Sequence, residues 1–464
     1  MIPHGATWLL NERSNDVRES YDVIIVGGGN AGFGVSAVAH EAGKSIAFIE
    51  AREFGGTCPN RGCTPKKVLV AAAHAMHEIE QAPVHGIEVS KPKLNWAKLI
   101  EREKDLIGFI PDAMLELARK RGDVLRGTAR FVGPNDIEIN DHVIHGKDIV
   151  IATGSKPRPL PIPGAEHMIT SDEVLSDATL PKEVVFIGGG VIAMEFSHVY
   201  ARAGVQVTIL EALPQLLPRM DGDAVAALKA ETERLGVVVK TGVSVMAIEK
   251  TLEGLGVQFE HDGRSQSVLA ERVVNGAGRI ANIDGLNLDA ANVEHDGLRI
   301  LINDTMQSIS NSSVWVAGDA VAHSVQLSPI ATYEGQIVGN NIVHGRAKRA
   351  DYSVIPSAIY TVPALSTVGL TEAEAKENGL DVSVTVSDMS GWFSTKTYAE
   401  TAAWSKVLVD KNNDQIVGAH ILGHHGDELI HLFALAMRHG ISASDLKSSL
   451  YAFPTFAADM KSLI

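Results

Sequence analysis

Cysteine is nearly absent: the 464-residue chain has two, Cys58 and Cys63. A structural zinc site wants four ligands, often as two C-x-x-C pairs, and no second pair exists here to supply them. Also missing is any apolar run approaching the ~20 residues of a membrane span. Residues 1–20 are polar and mixed in charge, with no apolar signal-peptide core. They read as a loosely held N-terminal extension, and the expectation is a cytoplasmic protein. Positive charge is short as well. The formal net charge of −15 argues against nucleic acid as a partner and gives no reason to expect a membrane surface. What is present is ample for buried cores, at 45% apolar residues, and at ~150 residues per domain the length predicts about three domains.

Both cysteines fall in Gly55-Gly56-Thr57-Cys58-Pro59-Asn60-Arg61-Gly62-Cys63-Thr64-Pro65-Lys66-Lys67. A disulfide is the better reading, with two unrelated small core cysteines as the alternative. In the cytoplasm such a bond is more often catalytic than structural. Five positions along a straight helix carry a side chain well off its starting face, and a bridge needs Cα atoms within roughly 7 Å. The spacing therefore predicts a distorted helical turn, permitted by Gly62 and Pro65. A helix N-terminus there would also favour a thiolate.

Upstream, Tyr21 to Val26 reads as a short strand, followed by Gly27-x-Gly29-x-x-Gly32, a helix over Phe33 to Glu41, and a strand from Lys44 to Glu50. In such a unit the first glycine makes the turn, the second lets backbone approach a pyrophosphate, and the third lets helix pack on strand. Helix N–H groups hold the phosphates, and the terminal acid binds ribose hydroxyls. The unit recurs: a strand over Lys182 to Ile187, then Gly188-x-Gly190-x-x-Ala193, a helix, and a strand from Val205 to Leu210 running into Glu211. The acid follows the first glycine at the same distance in both copies. Two dinucleotides on two related domains are expected.

Between the units lie helical stretches at Thr64 to Glu80 and Trp96 to Arg121. A buried strand over Ile149 to Ser155 then ends at a glycine turn at Thr153-Gly154, and a proline-rich linker over 156–164 marks a domain boundary. The second unit ends near Gly278. Val314 to Ala320 is a further buried strand, ending in Gly318-Asp319, and Ala331 sits early in the next helix. From about 351 the pattern changes to strands at 366–370, 404–409 and 416–422, then helices at 427–439 and 444–450.

The cysteine segment resembles the redox-active motif of the flavoprotein disulfide reductases, the family of glutathione reductase, dihydrolipoamide dehydrogenase and mercuric reductase. Its pattern is G-G-T-C-x-N-x-G-C-x-P-[ST]-K, and only Lys66 departs from it. The resemblance covers nearly the whole chain and implies an α/β fold: two Rossmann-like dinucleotide-binding domains plus an α+β interface domain. The implied layout is an FAD domain split over 21–160 and 277–349, an NAD(P) domain at 161–276, and a dimerisation domain at 350–464. FAD would lie on Gly27, Gly29, Asn30, Ala31, Gly32, Glu50, Gly56, Thr57, Thr153, Gly154, Asp319 and Ala331, and the nicotinamide nucleotide on Gly188, Gly190, Ala193, Glu211 and Gly278. A helix-capping role is the alternative for Asp319.

In the implied chemistry a nicotinamide reduces the flavin, which passes electrons to Cys63 beside it. Cys58 is then the interchange thiol that attacks the substrate. Lys67 corresponds to the family lysine beside the flavin, and Glu195 to the acid that pairs with it; plain helix-surface charges are the alternative. Glu211 suits an unphosphorylated ribose and repels a 2′-phosphate, so NADH is favoured, although Arg219 is close in sequence. Val191 stands where glutathione reductase has a gating Tyr.

The match breaks at the C-terminus. The family reads H-P-T-x-x-E, whose His is the acid-base for thiol–disulfide exchange. This chain has Phe453-Pro454-Thr455-Phe456-Ala457-Ala458, and no extra C-terminal cysteine pair of the mercuric type. A positioned base is worth ~10²–10⁴ in rate. His424, His425, His431 and His439 are candidates to replace it, against the plainer reading of packed or surface residues. The expected function is an FAD-dependent NAD(P)H oxidoreductase acting on a small-molecule or disulfide acceptor, as a homodimer. The alternatives are reduction of a quinone, metal ion or other electrophile, and a redox-sensing dimer without turnover.

Overall fold

The computed structural model describes residues 18–321 and 325–464. Most of the expected N-terminal extension lies outside the described residues. The chain divides into two compact units: Met1–Cys58, Ile110–Lys156 and Ile280–Ala350 form the first, and Pro59–Phe109, Pro157–Arg279 and Asp351–Ile464 the second.

The first unit is built on a seven-stranded sheet. Its centre is the strand Ser20–Val26, parallel to Ile46–Glu50 on one side and to His142–Ile151 on the other, in register Val23↔Ile46 and Ile24↔Ile149. Val314–Val316 adds parallel to His142–Ile151. Their buried segments Val23–Val26, Ile46–Ile49, Ile149–Ile151 and Val314–Val316 are continuous apolar runs, as expected where both faces of parallel strands are covered. Helix Asn30–Glu41 packs on helix Ser328–His344 at glycine contacts: a Cβ on Gly335 would lie 2.1 Å from the Ala31 carbonyl oxygen. Phe33, Phe48 and Phe54 cluster beneath, with ring centroids 5.6–6.5 Å apart.

The second unit holds three sheets. A parallel one runs Val238–Thr241, Gln206–Glu211, Glu183–Ile187, Arg272–Asn275. A three-stranded meander spans Ser244–Lys250, Leu255–His261 and Arg264–Ala270. A five-stranded antiparallel sheet is ordered Ser357–Ile359, Ala364–Gly369, Gln415–Gly423, Trp404–Asp410, Val382–Asp388, with helix Gly426–His439 packed on it.

The meander and the strand Val382–Asp388 are not foreseen from sequence. The helical stretch expected over 96–121 is two helices, Trp96–Ile107 and Ile110–Arg121. Gly108 closes the first, its N–H donating to the Lys104 carbonyl, and Pro111 sits in the first turn of the second, where a missing N–H costs nothing. Among the described residues no helix is long and apolar enough to cross a membrane.

Candidate active site

In the first unit, Gly27 ends the central strand at φ +118°, and a Cβ there would lie 2.1 Å from the Ala152 carbonyl oxygen. Only glycine fits so close a backbone crossing. A Cβ on Gly32 would meet the Gly27 oxygen at 2.2 Å. Gly29 caps helix Asn30–Glu41 with no side-chain hydrogen bond and no acid in its first turn. An uncapped helix N-terminus of this kind is an anion site. Glu50 is fixed at both oxygens: Gly28 N–H donates to Oε2 at 2.7 Å and Arg52 N–H to Oε1 at 2.7 Å.

Other expected residues gather in this unit. Gly56 (φ +69°) presses its Cα side on Gly29, and Thr57 opens the short helix Thr57–Arg61. Asn30 donates to Ser328, and Ser155 Oγ donates to Asp319 Oδ2 at 2.9 Å. Gly154 is at φ +70°, and buried Ala331 lies beside Gly318. The Thr153 hydroxyl is buried with no hydrogen-bond partner. A bare helix N-terminus, a fixed carboxylate and an orphaned buried hydroxyl fit a dinucleotide such as FAD.

The second unit repeats the device. Gly188 is at φ +103°, and its Cβ would lie 2.4 Å from the Gly276 oxygen. Gly190 caps helix Val191–Arg202 without a side-chain bond, Ala193 is fully buried, and Gly189 N–H donates to Glu211 Oε2. Leu213 N–H donates to Glu211 Oε1 at 2.7 Å. Both acids are thus held by the middle glycine and by the N–H two places beyond the acid. Gly278, at φ +94°, accepts from Arg158 N–H. This turn fits a nicotinamide dinucleotide.

The expected helical distortion is a full break. Helix Thr57–Arg61 carries half-buried Cys58 and stops; Gly62, at φ −143° and ψ −115°, starts a new helix, Cys63–Gln81, with Cys63 exposed at its N-terminus. Pro65 fits that first turn.

The ion pair differs from expectation. Glu195 pairs with Lys66, not Lys67: Lys66 Nζ lies 2.8 Å from Glu195 Oε1, with side chains 11% and 6% exposed. Tyr360 N–H donates to the same oxygen at 2.9 Å. Lys67 is half exposed and reaches Asp427 Oδ2 at 3.4 Å. Lys66 and Lys67 both stand over the Tyr360 ring, 4.0 and 3.8 Å from its centroid. Helical phase explains the swap. Lys66 shares the buried stripe with Leu69, Val70 and Ala73, whereas Lys67 lies one turn beyond Cys63 on the more open face. That apolar spacing is the signal in the sequence that distinguishes the two lysines.

Further along the same helix, buried His77 holds Nε2 3.5 Å from Glu400 Oε2. His424 Nδ1 is 2.6 Å from Glu400 Oε1. Burial pushes the Glu400 carboxyl up, but the bond from His424 and the proximity of His77 override it and hold the group at about 2. Phe453 is 85% exposed. Asp459, one place past the family acid, accepts from Ser394. Lys66, Tyr360 and Glu400 are the residues that sequence reasoning missed; for Tyr360 and Glu400 no local pattern signals them.

Residues 21–335 match the profile of the pyridine nucleotide-disulphide oxidoreductases, and 355–464 match their dimerisation domain. The chain belongs to this family. It is similar to mercuric reductase of Lysinibacillus sphaericus (31% identical, over 98% of this chain and 82% of that one) and to dihydrolipoyl dehydrogenase of Thermus scotoductus (32%, 95% of each). It is also similar to glutathione reductase of Burkholderia cepacia (29%, 96% and 98%). Among solved structures it resembles the HOCl-induced flavoprotein disulfide reductase RclA of Escherichia coli, with a TM-score of 0.85 at 25% identity over 96% and 99% of the chains. As a pyridine nucleotide-disulphide oxidoreductase, this protein is an FAD-dependent enzyme that uses NAD(P)H, with the family's mixed α/β fold.

Proposed function

We propose that this enzyme moves electrons from NADH to a disulfide acceptor through Cys58 and Cys63. The observation that carries the reading is the buried Lys66–Glu195 pair, which ties the helix opening at Cys63 to the helix following the second glycine turn. A flavin held at the first glycine turn would supply the two-electron chemistry that links the nicotinamide to the cysteine pair. Lys66 supplies a fixed positive charge, held by Glu195 and screened from water, where negative charge develops. Lys67 keeps a second, softer positive charge one turn from Cys63. Val191, 45% exposed at the start of its helix, leaves the nicotinamide approach open. Cys58 acts as the interchange thiol.

NADH is favoured over NADPH because Glu211 is buried and aligned by two backbone N–H groups, and a 2′-phosphate beside it would be repelled. The acceptor class follows from Phe453. With no histidine at that place, disulfides with a good leaving thiol have the least need of an acid. The C-terminal domain makes the enzyme a homodimer in this reading.

The test is NADH and NADPH oxidation by the FAD-loaded protein with small disulfides and with a quinone, in wild type and Cys58→Ser. Disulfide turnover that disappears in Cys58→Ser supports the reading. Turnover with the quinone alone, unaffected by the substitution, sinks it and leaves direct reduction by the flavin, the second reading. Equal efficiency with both nucleotides would overturn the NADH preference.

A further inference from the structure

Two like charges share one aromatic ring a single turn from Cys63. Lys66 and Lys67 stand three and four places along helix Cys63–Gln81, which makes them the neighbours of Cys63 on the next turn. Their ammonium groups lie 4.0 and 3.8 Å from the centroid of the Tyr360 ring. Glu195 holds Lys66 at 2.8 Å. Lys67 is half exposed and meets Asp427 only at 3.4 Å. A pair that open to water contributes little, so it does not fix Lys67 in place. The electron-rich face of an aromatic ring, which attracts a cation within about 6 Å of its centroid, does.

The ring is itself pinned. Strand Ser357–Ile359 leads into it, with Ile359 paired to Leu365. Tyr360 N–H donates to Glu195 Oε1 at 2.9 Å. Two residues on, Val362 N–H donates to His198 Nδ1 at 3.3 Å, and the Val362 carbonyl accepts from Arg202 Nη2 at 2.8 Å. Glu195, His198 and Arg202 fall at i, i+3 and i+7 of helix Val191–Arg202, on one face of it. That face fixes the backbone at Tyr360 and just beyond it. Packing alone would not call for three polar side chains aimed at three residues of chain.

We propose that Tyr360 is a positioning residue for the cysteine chemistry: its ring gathers the Lys66 and Lys67 ammonium groups on the turn next to Cys63, where their charge favours the Cys63 thiolate. This rests on the reading above in which Cys63 takes part in electron transfer. A helix N-terminus favours a thiolate already. The ring adds to it by keeping an otherwise solvated lysine close to the sulfur. Tyr360 forms and breaks no bond.

The charges around the ring come from three helices: Cys63, Lys66 and Lys67 from the first, Glu195 from Val191–Arg202, and Asp427 and Glu428 from Gly426–His439. Burial pushes the Tyr360 phenol up, and Asp427, Glu195, Cys63 and Glu428 add in the same direction. The phenol therefore stays neutral, and Cys63 is near enough for its charge to be felt there. The three acids oppose a thiolate and the two lysines support it. Without the ring, Lys67 is left to Asp427 and to water, and the balance moves against the thiolate.

The experiment titrates Cys63 through the ultraviolet absorbance of its thiolate in FAD-loaded Cys58→Ser protein, with Cys58→Ser/Cys63→Ser protein as the baseline. Adding Tyr360→Leu is expected to raise the midpoint by ~0.5–1 pH unit. Tyr360→Phe keeps the ring and is expected to move it by less than ~0.2 pH unit. Lys67→Gln, at an exposed position that puts folding at no risk, raises the midpoint by itself and adds less than ~0.3 pH unit once Tyr360→Leu is present, because the two act through one contact. A midpoint unmoved by Tyr360→Leu or by Lys67→Gln overturns the proposal, as do equal shifts in Tyr360→Phe and Tyr360→Leu, or additive shifts in the double variant. None of these readings involves an acceptor. Expected midpoints in a protein that reduces a quinone and no disulfide would overturn the acceptor class and leave this proposal standing.

Discussion

Two adjacent lysines, Lys66 and Lys67, show how far one step along a helix changes a residue's energetics. Both cations stand over Tyr360, but only Lys66 is buried against Glu195. Removing one member of a buried pair leaves its partner charged and desolvated, at ~3–5 kcal/mol. An exposed pair such as Lys67–Asp427 contributes about 0–1 kcal/mol. Lys66→Ala is therefore expected to lower the unfolding free energy by ~3 kcal/mol or more, and Lys67→Ala by less than ~1 kcal/mol, in urea titrations of the FAD-loaded protein. Comparable losses would mean that Lys67 carries the buried role after all. The swap was readable in principle, since Leu69, Val70 and Ala73 mark the buried stripe on which Lys66 falls.

At the scale of elements, helix Gly222–Arg234 is anchored through its cap. Asp221 accepts from the N–H groups of Asp223 and Ala224 and is met by Lys406, whose side chain is 2% exposed and which also reaches Asp223 and Glu372. Burial raises the Asp221 carboxyl, but the charges of His420 and Lys406 and the cap bonds outweigh it, and the net shift is downward. Its contribution to stability is thus present above the ordinary carboxylate value and lost as pH falls through the lowered one. In Lys406→Met one of the groups that hold the carboxyl down is gone, so the downward shift shrinks. The variant is expected to be ~3–5 kcal/mol less stable at pH 7, with the deficit shrinking as pH falls below the ordinary carboxylate range and the carboxyl takes up its proton. Urea unfolding at neutral and at acidic pH checks this, and a deficit that does not change with pH would refute it.

For the whole molecule, the dimerisation segment leaves Leu450 96% and Phe453 85% exposed in a single chain. Large apolar side chains presented together mark an association surface. Sedimentation at micromolar concentration is expected to give a dimer, and Leu450→Asp with Phe453→Asp to raise its dissociation constant at least ~10-fold, since each fully buried side chain of this size is worth ~1.5–3 kcal/mol. An unchanged dimer would place the contact elsewhere. A weakened dimer would give Phe453 a packing role at the place where the family motif carries a proton-transfer group.

Local chemistry made both glycine turns legible. Gly27 and Gly188 need positive φ and a backbone crossing that admits no Cβ, and Glu50 and Glu211 follow at a fixed distance, so the residue types alone announce the units. A distorted turn between Cys58 and Cys63 was legible through Gly62 and Pro65, but not its being a full break between two helices. The meander at Ser244–Ala270 was not, because its alternate residues face solvent and its pairing is chosen by partners in space. Helix periodicity marks Lys66 as the buried lysine, but tertiary structure alone decided that Glu195 is its partner and that His424 and His77 gather on Glu400. Glycine geometry acts within a few bonds of itself, whereas Lys66 and Glu195 are 129 residues apart in sequence, and only packing brings such groups together.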